Sequence, residues 1–251
     1  MQYIYCFFSS TVRKQERDTK QIPICIISYN QLESLKRLID FLQQKGYHNI
    51  HIIDNNSTYP PLKVFLNNIQ DTINVIFNTK NEGHFVFWKN RKIRKIFNKG
   101  YYVVTDPDVL PIHDCPDDFL NYFLILLKKN TKKFKVGFSL LLDDIPDCNP
   151  QKDLVMKWES RFWKKEMEDG NYVASIDTTF ALYRPLIKTV EHFFSAIRTG
   201  KPYTALHLGW YVNPFNLTEE QKYYRDTSNK SNTWKMNEKG EILDESYKKL
   251  L

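Results

Sequence analysis

The first half of the chain alternates short, continuous apolar runs with longer amphipathic stretches. Pro23-Ile24-Cys25-Ile26-Ile27 is an unbroken apolar run, the pattern of a central parallel strand covered on both faces, and it stops at Ser28-Tyr29-Asn30. A helix is predicted next. Asn30 would be its N-cap, Glu33 would complete a capping box, and Leu32, Leu35, Leu38, Ile39 and Leu42 keep a period of about 3.6 residues. Gly46 fits the C-terminal cap. A second strand is predicted over Ile50 to Ile53, ending in Asp54-Asn55-Asn56-Ser57. Pro60 and Pro61 suit the first turn of a further helix whose buried face carries Leu62, Phe65 and Ile69. A third strand over Ile73 to Phe77, a basic helix from Phe85 to Asn98 closed by Gly100, and a fourth strand over Tyr101 to Thr105 complete the pattern.

This β-α-β-α-β-α-β alternation predicts an α/β fold, a three-layer α/β/α sandwich on a mostly parallel sheet with right-handed crossovers. Such sheets bind ligands beyond the carboxyl ends of their strands, where this chain places polar residues. The second half is less regular. It predicts a helix over Asp117 to Lys129, a strand over Phe134 to Leu142 and an aromatic helix holding Trp158, Phe162 and Trp163. Two strand-like pieces, Tyr172 to Ile176 and Thr179 to Tyr183, flank Asp177. Residues 13–21 read as an exposed linker, and Tyr3 to Phe8 as an extra strand or a surface anchor. The division expected is an extension over 1–21, a core domain over 22–214 and a polar extension over 215–251 packed on it.

Composition narrows the class. With 42% hydrophobic and 26% charged residues in 251, the chain is an ordinary globular protein with one sizeable core, not a disordered one. A net charge of +7 suits an anionic partner, but the cations are spread out, and the densest group, Lys89 to Lys99, reads first as a solvated helix face. Cys6, Cys25, Cys115 and Cys148 have neither metal-ligand spacing nor a disulfide framework. A reducing cytoplasm, the host's if the source is viral, is the expected compartment. No stretch reaches the roughly 18 apolar residues of a transmembrane segment.

The sharpest chemical feature is Asp106-Pro107-Asp108 at the exit of a buried strand. Residues i and i+2 of an extended segment point the same way, so both acids would face one site. Converging carboxylates call for a cation between them, and hard oxygen ligands favour Mg²⁺ or Mn²⁺. A cation there neutralises a pyrophosphate leaving group.

Several of these motifs, in order, resemble the family-2 type glycosyltransferases of the GT-A fold, in the nucleotide-diphospho-sugar transferase superfamily. The matched elements are Ser28-Tyr29-Asn30, Asp54-Asn55-Asn56-Ser57, Asn81-Glu82-Gly83 with Lys89-Asn90 where Arg-Asn is more usual, Gly100, and the D-x-D element. The resemblance covers roughly residues 22 to 112. Segments in the second half resemble less-studied bacterial and viral relatives: Val136 to Leu140, Ser175 to Phe180 and Pro202 to Tyr211. The resemblance implies a metal-dependent, inverting transfer of a hexose-type sugar from a UDP- or GDP-sugar to a hydroxyl of a glycan, protein or lipid-linked acceptor, with no nucleic acid expected. It implies that Ile27, Ser28, Tyr29 and Asp54 hold the base and ribose, that Asn81 and Lys89 lie near the donor, and that Asp106 contacts ribose or metal. It also implies Asp108 as a direct metal ligand and His207 as a further one, although relatives carry Arg where this chain has Leu206. An inverting transferase needs a general base within reach of the acceptor hydroxyl. Asp177 is the first candidate, and Glu159 is the runner-up along with Asp143 and Asp144. Trp158, Trp163 and Trp210 are candidates to stack on sugar rings. Two rivals remain at this point: nucleotidyl transfer onto a sugar phosphate, which lacks its usual Gly-rich loop after the first strand, and a non-catalytic glycan- or nucleic-acid-binding module.

Overall fold

The predicted strand–helix alternation is present in a computed structural model of the chain, which describes residues 2–177, 179–187, 195–228, 236–237 and 239–242. Two helices come first, α1 (Gln2–Phe8) and α2 (Ser10–Arg17). The alternating part then runs β1 (Ile24–Ser28), α3 (Leu32–Gln44), β2 (Ile50–Asp54), α4 (Pro60–Ile69), β3 (Asn74–Phe77), α5 (Val86–Lys89), α6 (Arg91–Phe97) and β4 (Tyr102–Thr105). The remainder is β5 (Val109–Pro111), α7 (Phe119–Lys129), β6 (Lys135–Leu140), α8 (Lys152–Glu159), β7 (Ala181–Tyr183), β8 (Ala196–His207) and α9 (Glu219–Thr227).

Eight strands form one sheet in the order β3-β2-β1-β4-β7-β6-β8-β5. The pairs β1–β2, β2–β3, β1–β4 and β6–β8 are parallel, and β7 runs antiparallel to both neighbours. The result is the α/β class with a mostly parallel sheet that the alternation predicts. β1 is buried at all five positions, as its unbroken apolar run requires. Leu35, Leu38, Ile39 and Leu42 of α3 are buried against one face of the sheet, each contributing roughly 1.5–3 kcal/mol of transfer free energy. Phe87, Trp88, Ile93 and Phe97 of α5 and α6 fill a second cluster.

Several expectations change. Residues 2–8 are helical, not a strand, and the expected linker holds α2, with Ser9 capping it at Val12 N. α2 is docked because Gln15 is buried and pairs with Tyr101 as a strand would, donating to its carbonyl at 2.9 Å and accepting its amide at 2.8 Å. The basic helix breaks at Asn90, whose extended backbone separates α5 from α6 and whose side chain caps α6 at Lys92 N and Ile93 N. Residues 172–176 make only an isolated bridge from Tyr172 to Arg198 and one to Glu166, not a strand. β8 was not foreseen, because Gly200 and Pro202 interrupt its sequence; residues 200–203 leave the register between Thr199 and Thr204. α9, unforeseen in the polar tail, begins with a Thr218/Gln221 capping box. Cys6, Cys25, Cys115 and Cys148 are free thiols. Among the described residues no helix is long and apolar enough to cross a membrane.

Candidate active site

Parallel register sets Ser28 beside Asp54 and Ile26 beside Thr105, so β1, β2 and β4 end at one edge of the sheet. Ile27 is buried in β1, and the buried Ser28 hydroxyl has no hydrogen-bond partner among the described residues. Asn30 is not the cap of α3. Its backbone is left-handed (φ 51°), and its side-chain oxygen instead accepts the amides of Thr58 and Tyr59 at 2.8 and 2.9 Å. The α3 N-terminus receives the Glu220 carboxylate from α9, 3.1 Å from Glu33 N. Tyr29 donates its hydroxyl to the carbonyl of Thr227 at 3.0 Å, so α9 is moored on the β1–α3 turn.

Asp54 is 4% exposed and accepts the Ser57 amide at 3.2 Å. Burial raises its carboxyl above the ordinary value, against the lowering effect of the Ser57 bond. The adjacent Asn55 donates to Asn81 Oδ1 at 2.9 Å and to the Gly83 carbonyl at 3.1 Å, and it accepts Glu82 N at 2.9 Å. Lys89 Nζ donates to the Glu82 carbonyl at 3.3 Å. Asn81 therefore lies in a loop suspended from the end of β2, and Lys89, at the end of α5, reaches back to that loop.

Asp106 and Asp108 do not lie on an extended segment as assumed. Residues 107–108 form the turn into β5, a short strand the sequence did not suggest. β5 pairs antiparallel with β8, matching Val109 to His207, and Leu208 N donates to the Asp108 carbonyl at 2.7 Å. This pairing faces the Asp108 carboxylate with the His207 ring: Oδ2 and Nδ1 are 4.0 Å apart, with side-chain exposures of 14% and 19%. His207 Nδ1 is buried and makes no hydrogen bond among the described residues, and its ring stacks on Trp210 at 5.0 Å and 11°. Gly209 keeps the space beside this pair open, since a Cβ there would stand 3.1 Å from Nδ1 and 3.8 Å from Asp108 Oδ2. Gln31 Nε2 is 3.5 Å from the same Asp108 oxygen. Tyr224 of α9 senses both acids: burial raises its phenol well above the ordinary value, and Asp108 and Asp106 add to the shift.

A cavity of about 690 Å³ opens from Asp108, His207 and Gly209 between the start of α3 and α9, with Tyr59, Tyr211 and Tyr224 on its walls. The donor chemistry suits a hard or borderline divalent cation: one carboxylate, one imidazole nitrogen lacking a partner, and a gap longer than a hydrogen bond. Among the described residues no three His, Cys, Asp or Glu side chains converge on one point, so further ligands would come from the bound molecule.

On the other side of β4, Asp177 is exposed and accepts Thr179 N at 3.1 Å; Thr178 lies outside the described residues. Two buried basic side chains hold its turn. Lys135 donates to the Ile176 carbonyl and, at 3.4 Å, to the Tyr183 hydroxyl. Arg198 donates Nε to the Ser175 carbonyl at 2.8 Å. Arg198 also pairs with Glu159, which is only 2% exposed and does not reach the cavity. The Tyr183 phenol, raised well above the ordinary value by burial and further by Tyr102, Asp177 and Asp106, lies within electrostatic reach of both acids. Asp143 pairs with Lys201, and Asp144 with Tyr211. Trp210 is 1% exposed in the core, Trp163 packs on Tyr172, and Trp158 lies under Arg161, so none of the three stands free as a sugar platform.

Sequence reasoning did not single out Lys135, Arg198, Gly209, Tyr224 or Glu220. The first two carried a legible signal, as cations embedded in apolar strand sequence; the others depend on α9 and β8, which periodicity did not reveal.

No family model matches the chain, and no curated protein matches it. Solved structures do. A mannosyltransferase of Pyrobaculum calidifontis, in complex with GDP-Man and Mn²⁺, is 12% identical with a TM-score of 0.46, over 81% of this chain and 59% of that one. A Bacillus anthracis protein described as a glucose-1-phosphate thymidylyltransferase, in complex with sucrose, is 9% identical with a TM-score of 0.37, over 80% of this chain and 78% of that one. The chain thus spans well under two thirds of the mannosyltransferase's length.

Proposed function

We propose that this chain is a metal-dependent glycosyltransferase moving a sugar from a UDP- or GDP-sugar to an acceptor hydroxyl with inversion. The observation that carries the reading is the Asp108 carboxylate facing His207 Nδ1, which has no hydrogen-bond partner among the described residues, across 4.0 Å at a strand exit, beside a cavity. Asp108 and His207 would hold Mn²⁺ or Mg²⁺, with Asp106 toward ribose or metal. A bound cation supplies Lewis-acid neutralisation of the departing diphosphate.

The chain's own residues do the rest. Ser28, Tyr29 and Asp54, at the joined ends of β1 and β2, bind base and ribose alongside Ile27. Asn81 and Lys89 orient the donor from the loop that Asn55 fixes. Asp177 is the exposed carboxylate assigned the base role. It takes the acceptor hydroxyl's proton as that oxygen attacks the anomeric carbon and the bond to the diphosphate oxygen breaks. Glu159 is assigned a positioning role instead, because its carboxylate is committed to Arg198. The acceptor is a glycan, protein or lipid-linked hydroxyl, and the compartment proposed is the cytoplasm.

Nucleotidyl transfer is disfavoured by the first turn. Residues 28–31 contain no glycine, and Asn30 fills the turn with hydrogen bonds to Thr58 and Tyr59.

Thermal-shift measurements against UDP- and GDP-sugars with and without Mn²⁺ test the reading, because a ligand that binds the native state raises the melting temperature. The expected result is a Mn²⁺-dependent rise with at least one nucleotide sugar, lost in Asp108→Asn. No rise with any donor, or an equal rise in the variant, sinks the proposal.

A further inference from the structure

Two sequence features have no place in the site above: the apolar run ending at Phe8 and the basic stretch from Arg91 to Lys99. The fold joins them. Tyr5 of α1 donates its hydroxyl to the Lys99 carbonyl at 2.8 Å, and Cys6 packs against the core. Arg13 of α2 donates to the Phe7 carbonyl at 3.1 Å. α1 is thereby fixed, and its last two side chains point away from the body. Phe7 and Phe8 are 74% and 71% exposed, with their rings edge to face at 5.2 Å.

The surroundings are cationic. Residues 91–99 carry Arg91, Lys92, Arg94, Lys95 and Lys99 and no acid, with Ile96 exposed among them. Lys128 of α7 reaches Glu16 of α2 at 3.2 Å, and residues 128–133 carry four lysines and no acid. An adjacent aromatic pair left in water within a basic collar is more than the scattered apolar exposure of an ordinary surface. It is the chemistry that lodges at the headgroup level of an anionic bilayer, where aromatic rings enter the interface and Lys and Arg meet lipid charge.

Topology places this surface away from the catalytic edge. Lys99 precedes β4, Lys133 precedes β6 and α2 precedes β1. β4 runs parallel to β1, and β6 runs the same way because each is antiparallel to β7. The C-terminal end of α6 with Lys99, residues 128–133 and α2 therefore gather where these strands begin, and Asp54, Asp106 and Asp108 stand at or beyond the ends of β2 and β4.

We infer that this edge docks the protein on an anionic phospholipid surface through Phe7 and Phe8. Docking and donor binding would then be independent. The test is co-sedimentation of the full chain with phosphatidylcholine vesicles with and without phosphatidylserine. Wild type should bind the phosphatidylserine vesicles and be released by high salt. The double variant Phe7→Ser/Phe8→Ser should bind at least ~10-fold more weakly, and Lys95→Glu/Lys99→Glu should behave alike, with melting temperatures unchanged. Asp108→Asn should bind like wild type. Binding absent in wild type, or unchanged in the double Phe variant, overturns the inference. So does salt-sensitive binding to RNA, or a dimer in solution that the double Phe variant dissociates, without vesicle binding; these assign the face to nucleic acid or to a second copy.

Discussion

Arg198→Ala should destabilise the protein in a strongly pH-dependent way. The guanidinium and the Glu159 carboxylate it pairs with have side-chain exposures of 4% and 2%. Arg198 also donates to the Ser175 carbonyl at 2.8 Å and lies 4.1 Å over the Phe162 ring. Removing one partner of a buried pair leaves an uncompensated charge, at a cost of about 3–5 kcal/mol. Burial already pushes the Glu159 carboxyl up to about 6 with Arg198 present, Asp177 pushing the same way and His207 against it. A carboxyl raised above its unfolded value contributes stability that is present at low pH and lost as pH rises through the folded value. Without Arg198 the Glu159 value climbs further, so the loss grows across the neutral range.

The magnitude then separates by pH. At about pH 7.5 Arg198→Ala should lose roughly 3–5 kcal/mol, whereas at about pH 5 Glu159 is mostly neutral and the loss should fall to roughly 1–2 kcal/mol, from the orphaned Ser175 carbonyl and lost packing. Urea denaturation of variant and wild type at both pH values, read as the difference at each, cancels the other titrating groups. Equal losses at the two pH values, or a loss below about 1 kcal/mol at neutral pH, would refute the buried-charge account.

Lys135→Met should abolish a rise of wild-type stability on the alkaline side. Burial lowers the Lys135 amine to about 7, so the unfolded chain binds the extra proton above that pH and stability increases toward about pH 10 by on the order of 4 kcal/mol; a denaturation series over that range that looks the same in both proteins contradicts it. Gly209→Ala puts a methyl 3.0 Å from the His207 ring carbon and into the gap beside Asp108. It should weaken Mn²⁺-dependent donor binding by ~10-fold or more, as measured by calorimetric titration, while leaving the melting temperature nearly unchanged. Gln15→Ala orphans the buried amide and carbonyl of Tyr101 and should cost roughly 2–4 kcal/mol in urea denaturation, undocking α2; a loss under about 1 kcal/mol means water replaces the side chain freely.

The parts of the fold legible in the sequence are those where one physical signal dominates. β1 is apolar at every core position because both its faces are covered, and α3 shows one stripe because one face is covered. The misread parts are those where side chains replace regular pairing. Gln15 acts as a surrogate strand for Tyr101, so the polar segment around it looked like a linker. Asn30 carries both capping-type bonds and a left-handed backbone, and it spends them on residues 58 and 59 instead of on the helix that follows it. β8 contains a charged and a proline position at its excursion, where residues 200–203 leave the ladder, and alternation fails there. The opposition of Asp108 and His207 was open to sequence only through the family resemblance, because the strand pairing that creates it joins residues nearly a hundred positions apart.

That same β8 connects the two halves of the proposed site. Near its start, Arg198 fixes the turn bearing Asp177; at its end, His207 faces Asp108. The 200–203 excursion lies between them, so the two ends are not one continuous ladder and need not move together. If Asp177 is the base and Asp108–His207 the cation pair, damage at the two ends should separate. Arg198→Lys keeps a cation yet loses the planar fork that reaches Ser175 and Glu159 together, so it should lower turnover with donor affinity preserved. His207→Ala should lower cation-dependent donor affinity first. A common loss of both properties in either variant would mean that β8 acts as one rigid rod, and that the acid at 177 and the acid at 108 cannot be given separate duties on the grounds of their anchoring.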